Sequence, residues 1–575
     1  MKNFFGTVRF MLEGTNKTAL IWCGAVLLTM LILAVLHHKW KYDEQRLNRW
    51  KNLCFIPFLI TSVHYFIYVV GADGFLSNYT PMYLISVLAF MPMICAKQEK
   101  GYKIFASITA VLSVVFALRF CLISNQLHNF SRKSYTGSFH ALVRELDRSY
   151  VIKDWKEIDF YALEDKYMPM VEEAEKKKDK GMFGDAVTMF CDELHDGHVM
   201  VSTHYDRNKY HSLFELTDYG LSMVQLDNGD IIAVCTEDEV KAVGIDDGTV
   251  ITKWDCRPVA EAAEEMIPAE GEPVESNGRR LALITLSATG GETVEVTFID
   301  KSGKEQTAVL SAIENEHTYD EMYSLFFRWP EHISEFLNSN FNTRMLDDKC
   351  GYIQLSAETS GGTIRDELAF YTGESKWAKD MFRRKLRKLK EQGMEYLVID
   401  LRNNMGGTGE IGNALVSLLT DEELCGECLG IRRNGEYVKV SERIIRGNGE
   451  FADLKVVALT NLNCVSAGDS AARCLSKLPN VTLAGITDPN GSGQMIGGRC
   501  VLSKSIVSVS YPVQLVLDET GDPYNDTRAD GVSRDPVEVR IPLDYDAAMK
   551  IFRDGEDYEL EWAVDYLEEG GGHNK

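Results

Sequence analysis

A serine stands at the junction of a predicted strand and a predicted helix in the segment KVVALTNLNCVSAGDSAARCL. Lys455–Thr460 is a short apolar, β-branched run that favours a buried strand, and Ser466 opens a helical pattern that continues through Leu475. A hydroxyl at a helix N-terminus lies beside unpaired backbone N–H groups and at the positive end of the helix dipole. That environment suits a serine nucleophile and the oxyanion that its attack creates. The same spacing, with Asp469 three residues later, also suits a capping box, which needs no chemistry.

The segments around this serine alternate between strand and helix patterns from Lys349 onward. CGYIQLSA, EYLVIDLR, Lys455–Thr460 and Val481–Gly485 have strand patterns, and the nearly all-apolar EYLVIDLR is typical of a sheet covered on both faces. Glu367–Gln392 predicts a long charged helix, and Ile411–Leu419 a second one. We therefore predict an α/β core over residues 313–575.

Two smaller units precede this core. Ser138–Leu194 has apolar residues at helical spacing, and alternation typical of a strand begins at Val199, so we assign residues 138–212 to a helical layer. Residues 213–312 contain short strands, glycine turns and one short helix, which together predict a small β-domain.

The first 124 residues contain four apolar segments that predict a four-helix transmembrane anchor, followed by a linker over residues 125–137. The segments are Ala19–Leu36, Leu53–Val70, Pro81–Ala96 and Ile104–Ser124. Lysine and arginine are concentrated in the loops 37–51 and 97–103, which predicts that these loops are cytoplasmic. We therefore expect a multi-pass protein of the cell membrane, with the lipid bilayer as a partner and, if all four segments span, the soluble part outside the cytoplasm. If only three segments span, the two termini lie on opposite sides of the membrane.

Charge and cysteine content restrict the possible partners. The net charge is −24 and no basic patch stands out, which argues against nucleic-acid binding. Cys425-Gly426-Glu427-Cys428 is a CxxC motif in a predicted polar loop, without the second CxxC or histidine pair of a zinc site, so we expect no metal. A small disulfide loop and a pair of unlinked thiols both remain open.

Four motifs in order resemble those of the C-terminal-processing serine peptidases, also called tail-specific proteases, and their tricorn-core relatives. They are Leu194–Val199, the PDZ-like segment Ala242–Ile251, Val398–Gly407 and Ser466–Asp469. The resemblance extends over about Ser138 to Leu543. It implies a ClpP/crotonase-like α/β core, Ser466 as the nucleophile, and an oxyanion hole formed by the Gly406 and Ala467 amides. It implies no cofactor.

The resemblance also implies which base assists Ser466. One branch of the family uses a lysine in a G-K-G turn, where this chain has Gly491-Ser492-Gly493. The tricorn-like branch uses a histidine, and His198 occupies its position as the general base. Arg528 stands where that branch has an orienting glutamate, so Asp526, Asp530 or another group would have to take the role.

The β-domain over residues 213–312 resembles a PDZ domain, in which a loop captures a peptide carboxylate with backbone N–H groups. Tyr219, Gly220, Leu221 and Ser222 match that loop. A PDZ domain binds an extended C-terminal peptide by strand addition. The alternative is a small β-domain that serves only as a spacer.

The hypothesis from sequence is a membrane-anchored serine endopeptidase that cleaves unstructured or C-terminal peptide segments. Two alternatives belong to other classes: a catalytically silent binding protein that keeps the peptidase fold, and a membrane scaffold in which only the PDZ-like domain matters.

Overall fold

The computed structural model describes residues 17–54, 56, 59–60, 104, 126–204, 217–264, 286–287, 293–313, 317–330, 332–360, 364–525 and 536–571. The helices with these bounds are α1 (Lys17–Trp40), α2 (Glu44–Leu53), α3 (Tyr135–Ser149), α4 (Phe160–Lys177), α5 (Lys180–Asp192), α6 (Asp238–Ala242), α7 (Val259–Glu264), α8 (His317–Phe327), α9 (Ile333–Asn338), α10 (Ile364–Thr372), α11 (Lys376–Glu391), α12 (Glu410–Val416), α13 (Ala467–Ser476), α14 (Tyr545–Phe552) and α15 (Tyr558–Glu568). The strands are β1 (Gln126–Asn129), β2 (Met200–Thr203), β3 (Thr217–Asp218), β4 (Ser222–Gln225), β5 (Ile231–Val234), β6 (Ile251–Trp254), β7 (Arg257–Pro258), β8 (Leu286–Ser287), β9 (Thr293–Ile299), β10 (Glu305–Ser311), β11 (Thr343–Met345), β12 (Cys350–Gln354), β13 (Tyr396–Asp400), β14 (Glu423–Arg433), β15 (Glu436–Arg446), β16 (Lys455–Leu459), β17 (Val481–Gly485), β18 (Gln494–Val501), β19 (Val507–Leu517) and β20 (Val539–Arg540).

The strand that precedes Ser466 lies inside a six-stranded sheet of order β11-β12-β13-β16-β17-β20. In this sheet the neighbouring strands β12, β13, β16, β17 and β20 pair in parallel, and β11 is antiparallel to β12. Leu397 and Ile399 of β13 pack under α11, α12 and α13, whereas Val398 faces the opposite layer with α14 and α15. Helices therefore cover both faces of the sheet, which confirms the predicted α/β core.

A second sheet, of order β1-β18-β19-β14-β15 with β2 beside β19, lies between the core and the N-terminal helices. Phe139, Phe160 and Phe190 of α3, α4 and α5 pack against Val509 and Tyr511 of β19 in one apolar cluster. These three helices cover one face of the second sheet, and the loop that carries His198 follows α5. Within the core, the predicted single helix Glu367–Gln392 is instead two helices, α10 and α11. The chain breaks at Gly373, whose φ of +71° leaves the helical region.

The strands β3–β10 form the β-domain with its own apolar core. Its larger sheet has the order β10-β9-β6-β7, and β4 pairs with β5 in a hairpin. Val224 and Ile232 of this hairpin pack in the same cluster as Leu543 and Ala548 of the peptidase core. The hairpin therefore connects the β-domain to the C-terminal part of the chain.

The predicted multi-pass membrane region is contradicted and is a correction to the expectation from sequence. Among the described residues, no helix is both long enough and apolar enough to cross a membrane. Ala19–Leu36 lies within α1, which packs on α2 where the buried Trp50 donates its indole N–H to Leu33 O (2.7 Å). Hydropathy measures apolar content, and such content also suits a helix packed on a neighbour. The other three predicted spans, Leu53–Val70, Pro81–Ala96 and Ile104–Ser124, lie almost wholly outside the described residues. The multi-pass location and the bilayer partner are therefore not retained.

Candidate active site

Ser466 is held in an unusual backbone conformation between β16 and α13. Its φ and ψ are 61° and −117°, outside the regions that residues with a side chain normally adopt. It occupies the N-cap position of α13, but its side chain makes no capping hydrogen bond. The capping-box alternative therefore does not describe this serine, and its hydroxyl is not engaged by the helix that it precedes.

A polar network behind Ser466 fixes this conformation. The Ser466 N–H donates to Ser492 Oγ (2.9 Å), and the Ser492 hydroxyl donates to Asp469 Oδ2 (2.6 Å). The backbone N–H groups of Gly491 and Ser492 also donate to the Asp469 carboxylate, at 2.9 Å and 3.0 Å. Burial raises the pKa of Asp469 to about 6, although these hydrogen bonds act in the opposite direction. Ser492, at the position of the family's lysine, thus supports the backbone of Ser466.

The glycine turn after β13 lies directly against Ser466. Gly406 has a φ of +73°, and a Cβ placed on it would lie 2.7 Å from Ser466 Cβ and 3.1 Å from the Ala467 nitrogen. Only glycine permits this approach. The Gly406 N–H donates to Asn404 Oδ1 (2.9 Å), so it is already engaged. Ala467 is the first residue of α13, and its N–H therefore has no acceptor within the helix.

His198 lies in the loop before β2, where the chain leaves the helical layer. Its backbone N–H donates to Asp196 Oδ1 (2.8 Å), and the side chain is 9% exposed. Burial is the main reason that the pKa of His198 is lowered below its usual 6.5; the Asp196 charge opposes this shift, and the Lys156 charge adds to it. Among the residues that the structure describes, His198 Nδ1 has no hydrogen-bond partner.

Buried polar groups hold the His198 loop in place. Asp196 accepts hydrogen bonds from the Tyr150 hydroxyl (2.6 Å) and from Gln494 Nε2 (2.5 Å). The Lys156 ammonium donates to the carbonyls of Leu194 and His195, and burial lowers its pKa to about 8. The loop is thus fixed by helical-layer residues and by β18.

One cleft of about 690 Å³ brings the predicted catalytic side chains together. Ser466, Ala467 and His198 line it, and so does Gly407 of the glycine turn. Its other walls carry aromatic and apolar side chains, among them Tyr323, Trp329, Met405, Leu462 and Met495. A cleft of this size, with a few polar groups among apolar ones, suits a peptide segment.

A buried charged cluster forms part of the same cleft and was missed by sequence reasoning. Glu427 and Arg443 line the cleft, and they are a cross-strand pair between β14 and β15 with Oε2 and Nε 3.6 Å apart. Arg443 also contacts the carboxylate of Glu410. Burial raises the pKa of Glu427 and lowers that of Arg443 to about 9. No sequence motif identifies these two residues, because the contact between them depends on the register of β14 against β15.

The remaining predicted site residues lie elsewhere. The loop Tyr219–Ser222 is buried in the β-domain, where the Gly220 N–H donates to Asp218 Oδ1 (2.7 Å). Asp526, Arg528 and Asp530 lie outside the described residues. Among the described residues, the candidate metal-ligating group is Cys425, Cys428 and Glu442, which is not part of the cleft.

Residues 349–535 match the model of Peptidase family S41. The chain therefore contains a Peptidase family S41 domain. The match spans the glycine turn and Ser466, and it identifies the chain as a serine-type peptidase, similar to the C-terminal-processing proteases. The S41 domain does not include His198 or the β-domain, which lie N-terminal to it.

Solved structures of three peptidases are similar to larger parts of the chain. Mature CPAF complexed with lactacystin is 13% identical, with a TM-score of 0.48, and the match covers 75% of this chain and 97% of that one. The photosystem II D1 C-terminal processing protease is 18% identical with a TM-score of 0.32, covering 74% and 98%. The tricorn protease is 15% identical with a TM-score of 0.34, covering 76% and 37%. None of the curated proteins matches this chain in sequence.

Proposed function

We propose that this S41 chain is a serine endopeptidase that cleaves unstructured or C-terminal peptide segments. Ser466 Oγ attacks the carbonyl carbon of the scissile bond, and His198 accepts the hydroxyl proton and returns it to the leaving amine. The resulting acyl-enzyme is hydrolysed by a water that His198 activates in the same way. Ser466 and His198 would thus carry out a two-step acyl transfer.

The observation that carries this proposal is the state of Ser466. A strained backbone costs about 1–3 kcal/mol and persists where the surrounding structure requires it. Here the strain turns the serine away from a capping role and into the cleft that His198 also lines. A helix cap alone would need neither the strain nor the shared cleft.

The oxyanion is proposed to be stabilised by the Ala467 N–H and by the glycine turn. One such donor typically contributes about 3–4 kcal/mol to the transition state. The Gly406 N–H, the donor implied by the family resemblance, donates to Asn404 Oδ1 here. In this proposal it exchanges that acceptor for the oxyanion when substrate binds.

The β-domain is proposed to select the substrate as a PDZ-like module. In the described part of the chain, β4 pairs with β5 alone, and we propose that a peptide strand adds along its other edge. Binding of fluorescent peptides to the Ser466→Ala variant would test this role. A free C-terminal carboxylate should bind more tightly than its amide, and equal affinity would favour the spacer alternative.

A binding protein without activity is the second candidate, and one observation favours it. The Nδ1 atom of His198 lacks a hydrogen-bond partner within the described residues, so no carboxylate is seen to orient the ring. The peptidase and this alternative make different predictions for a single substitution.

Ser466→Ala should abolish cleavage of an unstructured peptide such as casein fragments, while the melting temperature changes little. Ser476→Ala is the matched control, because Ser476 ends the same helix and donates to Arg473 O (2.9 Å) away from the cleft. The control should cleave at the wild-type rate. Equal cleavage by Ser466→Ala and the control would refute the proposed nucleophile, and no cleavage by the wild type would favour the binding protein.

A further inference from the structure

The CxxC motif lies on a bulged strand and not in the polar loop expected from sequence. In a regular strand, residues three apart point to opposite faces. In β14, Cys425 is opposite Ile444 and Glu427 is opposite Arg443, so Gly426 has no partner and forms a bulge. Cys428 is opposite Glu442, two residues from Ile444 along β15. The extra residue thus places both cysteines on the same face of the sheet, with their Sγ atoms 3.6 Å apart.

Cys425 and Cys428 line a pocket of about 610 Å³ that is large enough for a small molecule. Its other lining residues include two cations, Arg473 and Lys477, and three carboxylates, Asp518, Glu519 and Asp522. The hydrogen bond from Cys425, followed by the charges of Lys439 and Arg473, lowers the pKa of Cys428 to about 7, although burial opposes this shift. The pKa of Cys425 is raised by the same thiol–thiol contact. The two sulfurs are close enough for one to attack a mixed disulfide formed on the other, and the pocket gives a small disulfide access to them.

We propose that Cys425 and Cys428 form a redox-active dithiol that small disulfide compounds oxidise reversibly. The Cys428 thiolate attacks one sulfur of the small disulfide, forms a mixed disulfide and releases one small thiolate. Cys425 then attacks Cys428 Sγ, which closes the protein disulfide and releases the second small thiolate. The protein loses two electrons and two protons, and the small disulfide is reduced to two thiols.

A metal ion is the other occupant that this geometry could accept, since Glu442 lies with the two thiols. The Lys439 ammonium, however, already donates to Glu442 Oε1 (2.5 Å). Arg473 and Lys477 oppose the entry of a divalent metal, whereas Asp518, Glu519 and Asp522 on the same pocket favour it, so the zinc arm of the experiment below decides between the two occupants. Cys425 and Cys428 lie opposite Ile444 and Glu442, two positions that are about 7 Å apart in a regular strand. A Cα–Cα separation of about 7 Å is the upper limit that a disulfide can bridge. Closing the disulfide therefore requires the bulge to contract.

Mass spectrometry of the full chain tests this proposal independently of peptidase activity. The tryptic fragment 403–432 contains Cys425 and Cys428 and no other cysteine. After exposure to oxidised glutathione and then to N-ethylmaleimide, we expect this fragment to carry no maleimide and to have lost two hydrogens. Dithiothreitol should restore the alkylation of both thiols.

Single variants distinguish the two sulfurs. Cys425→Ser should trap Cys428 as a mixed disulfide with glutathione, whereas Cys428→Ser should react at least tenfold more slowly. Cys256→Ser, which removes an exposed cysteine of the β-domain, should leave the oxidation of fragment 403–432 unchanged. Continued alkylation of both thiols after the oxidant would overturn the proposal. Protection of both thiols by one equivalent of Zn²⁺, with no loss of hydrogen, would assign the site to a metal instead.

Discussion

At the residue scale, buried polar groups hold the backbone of Ser466, the proposed nucleophile. Asp469 is buried and accepts three hydrogen bonds from the turn Gly491–Ser492, and Ser492 in turn accepts the Ser466 N–H. The chain therefore uses the position of the family's lysine to hold the nucleophile's backbone. This leaves His198 as the base that the proposal requires.

The pH dependence of kcat/KM should report the buried state of His198. Because burial lowers its pKa, the base stays neutral to a more acidic pH than an exposed histidine would. We expect kcat/KM to fall on acidification with a midpoint below 6.5. The profile should be measured between about pH 4.5 and 8 for wild type and the Ser476→Ala control. A midpoint above 6.5 would contradict a buried, unprotonated base.

The Asp469→Asn substitution should lower kcat about 10–100-fold, equivalent to about 1.4–2.7 kcal/mol. An amide replaces one acceptor oxygen with a donor that faces the N–H groups of Gly491 and Ser492. Ser492→Ala should have a smaller effect, since it removes one hydroxyl and leaves the carboxylate in place. Steady-state kinetics of both variants check this order, and the reverse order would show that the carboxylate does not organise the turn.

At the element scale, the glycine turn and strand β14 both contribute side walls to the cleft, β14 through Glu427. Glu358 fixes the turn through its backbone, because its N–H donates to Gly406 O (2.8 Å) and its carbonyl accepts the Thr408 N–H (2.6 Å). The Glu358 carboxylate accepts the Gly412 N–H of α12 (2.8 Å), and burial raises its pKa well above the usual value. The turn is thus positioned by hydrogen bonds that a local sequence pattern does not reveal.

The Gly406→Ala substitution should reduce kcat/KM by more than 100-fold. Its methyl group would lie 2.7 Å from Ser466 Cβ, so the nucleophile or the turn must move. Gly303→Ala is the matched control, because its φ of +78° is similar and nothing lies within 4 Å of an added Cβ. Both variants should lose about 1–2 kcal/mol of stability from the left-handed backbone. Similar loss of activity in both would show that strain, and not proximity to Ser466, is responsible.

Oxidation of the dithiol should lower peptidase activity through Glu427. Glu427 lies between the two cysteines in sequence, but it faces the cleft on the other side of the sheet. Contraction of the bulge would move it, and we expect kcat/KM to fall about tenfold, or about 1.4 kcal/mol. Wild type and the Cys425→Ser/Cys428→Ser variant should be assayed before and after oxidised glutathione. An equal response of the two proteins would refute the coupling.

Strand and helix patterns in the sequence predicted much of the core. Contacts between residues of different elements could not be predicted in this way. β16 and β17 coincide with the apolar runs from which they were predicted, and Ser466 lies at the predicted junction. The left-handed conformation of Ser466 and the Glu427–Arg443 pair depend on packing and register, which single-sequence patterns do not contain. The membrane expectation is not retained, because no helix in the described part of the chain is long and apolar enough to cross a bilayer.

At the scale of the whole molecule, Arg402 connects the nucleophile's sheet to the C-terminal helices. The buried guanidinium donates to Asp400 at the end of β13 (2.8 Å) and to Glu559 of α15 (3.2 Å). It also donates to Asp557 before α15 (2.6 Å). The glycine turn follows directly after Arg402 in sequence, so the C-terminal part of the chain supports the cleft.

The Arg402→Met substitution should lower the free energy of unfolding by about 3–5 kcal/mol, because it leaves buried carboxylates without their counter-charge. Arg387→Met is the control, since its ion pair with Glu450 is on the surface and Arg387 is 61% exposed. It should cost about 1 kcal/mol or less. Urea unfolding measures both variants, and equal costs would contradict the structural role of Arg402.

Active-site labelling with a fluorophosphonate tests the central claim most directly. The probe should form one covalent adduct, and mass spectrometry of the fragment that contains Ser466 should locate it on that residue. Labelling should disappear in Ser466→Ala, persist in Ser476→Ala, and slow strongly in His198→Ala because the base is lost. A wild-type protein that remains unlabelled, or an adduct on a different serine, would contradict the account of Ser466 as the nucleophile of this serine peptidase.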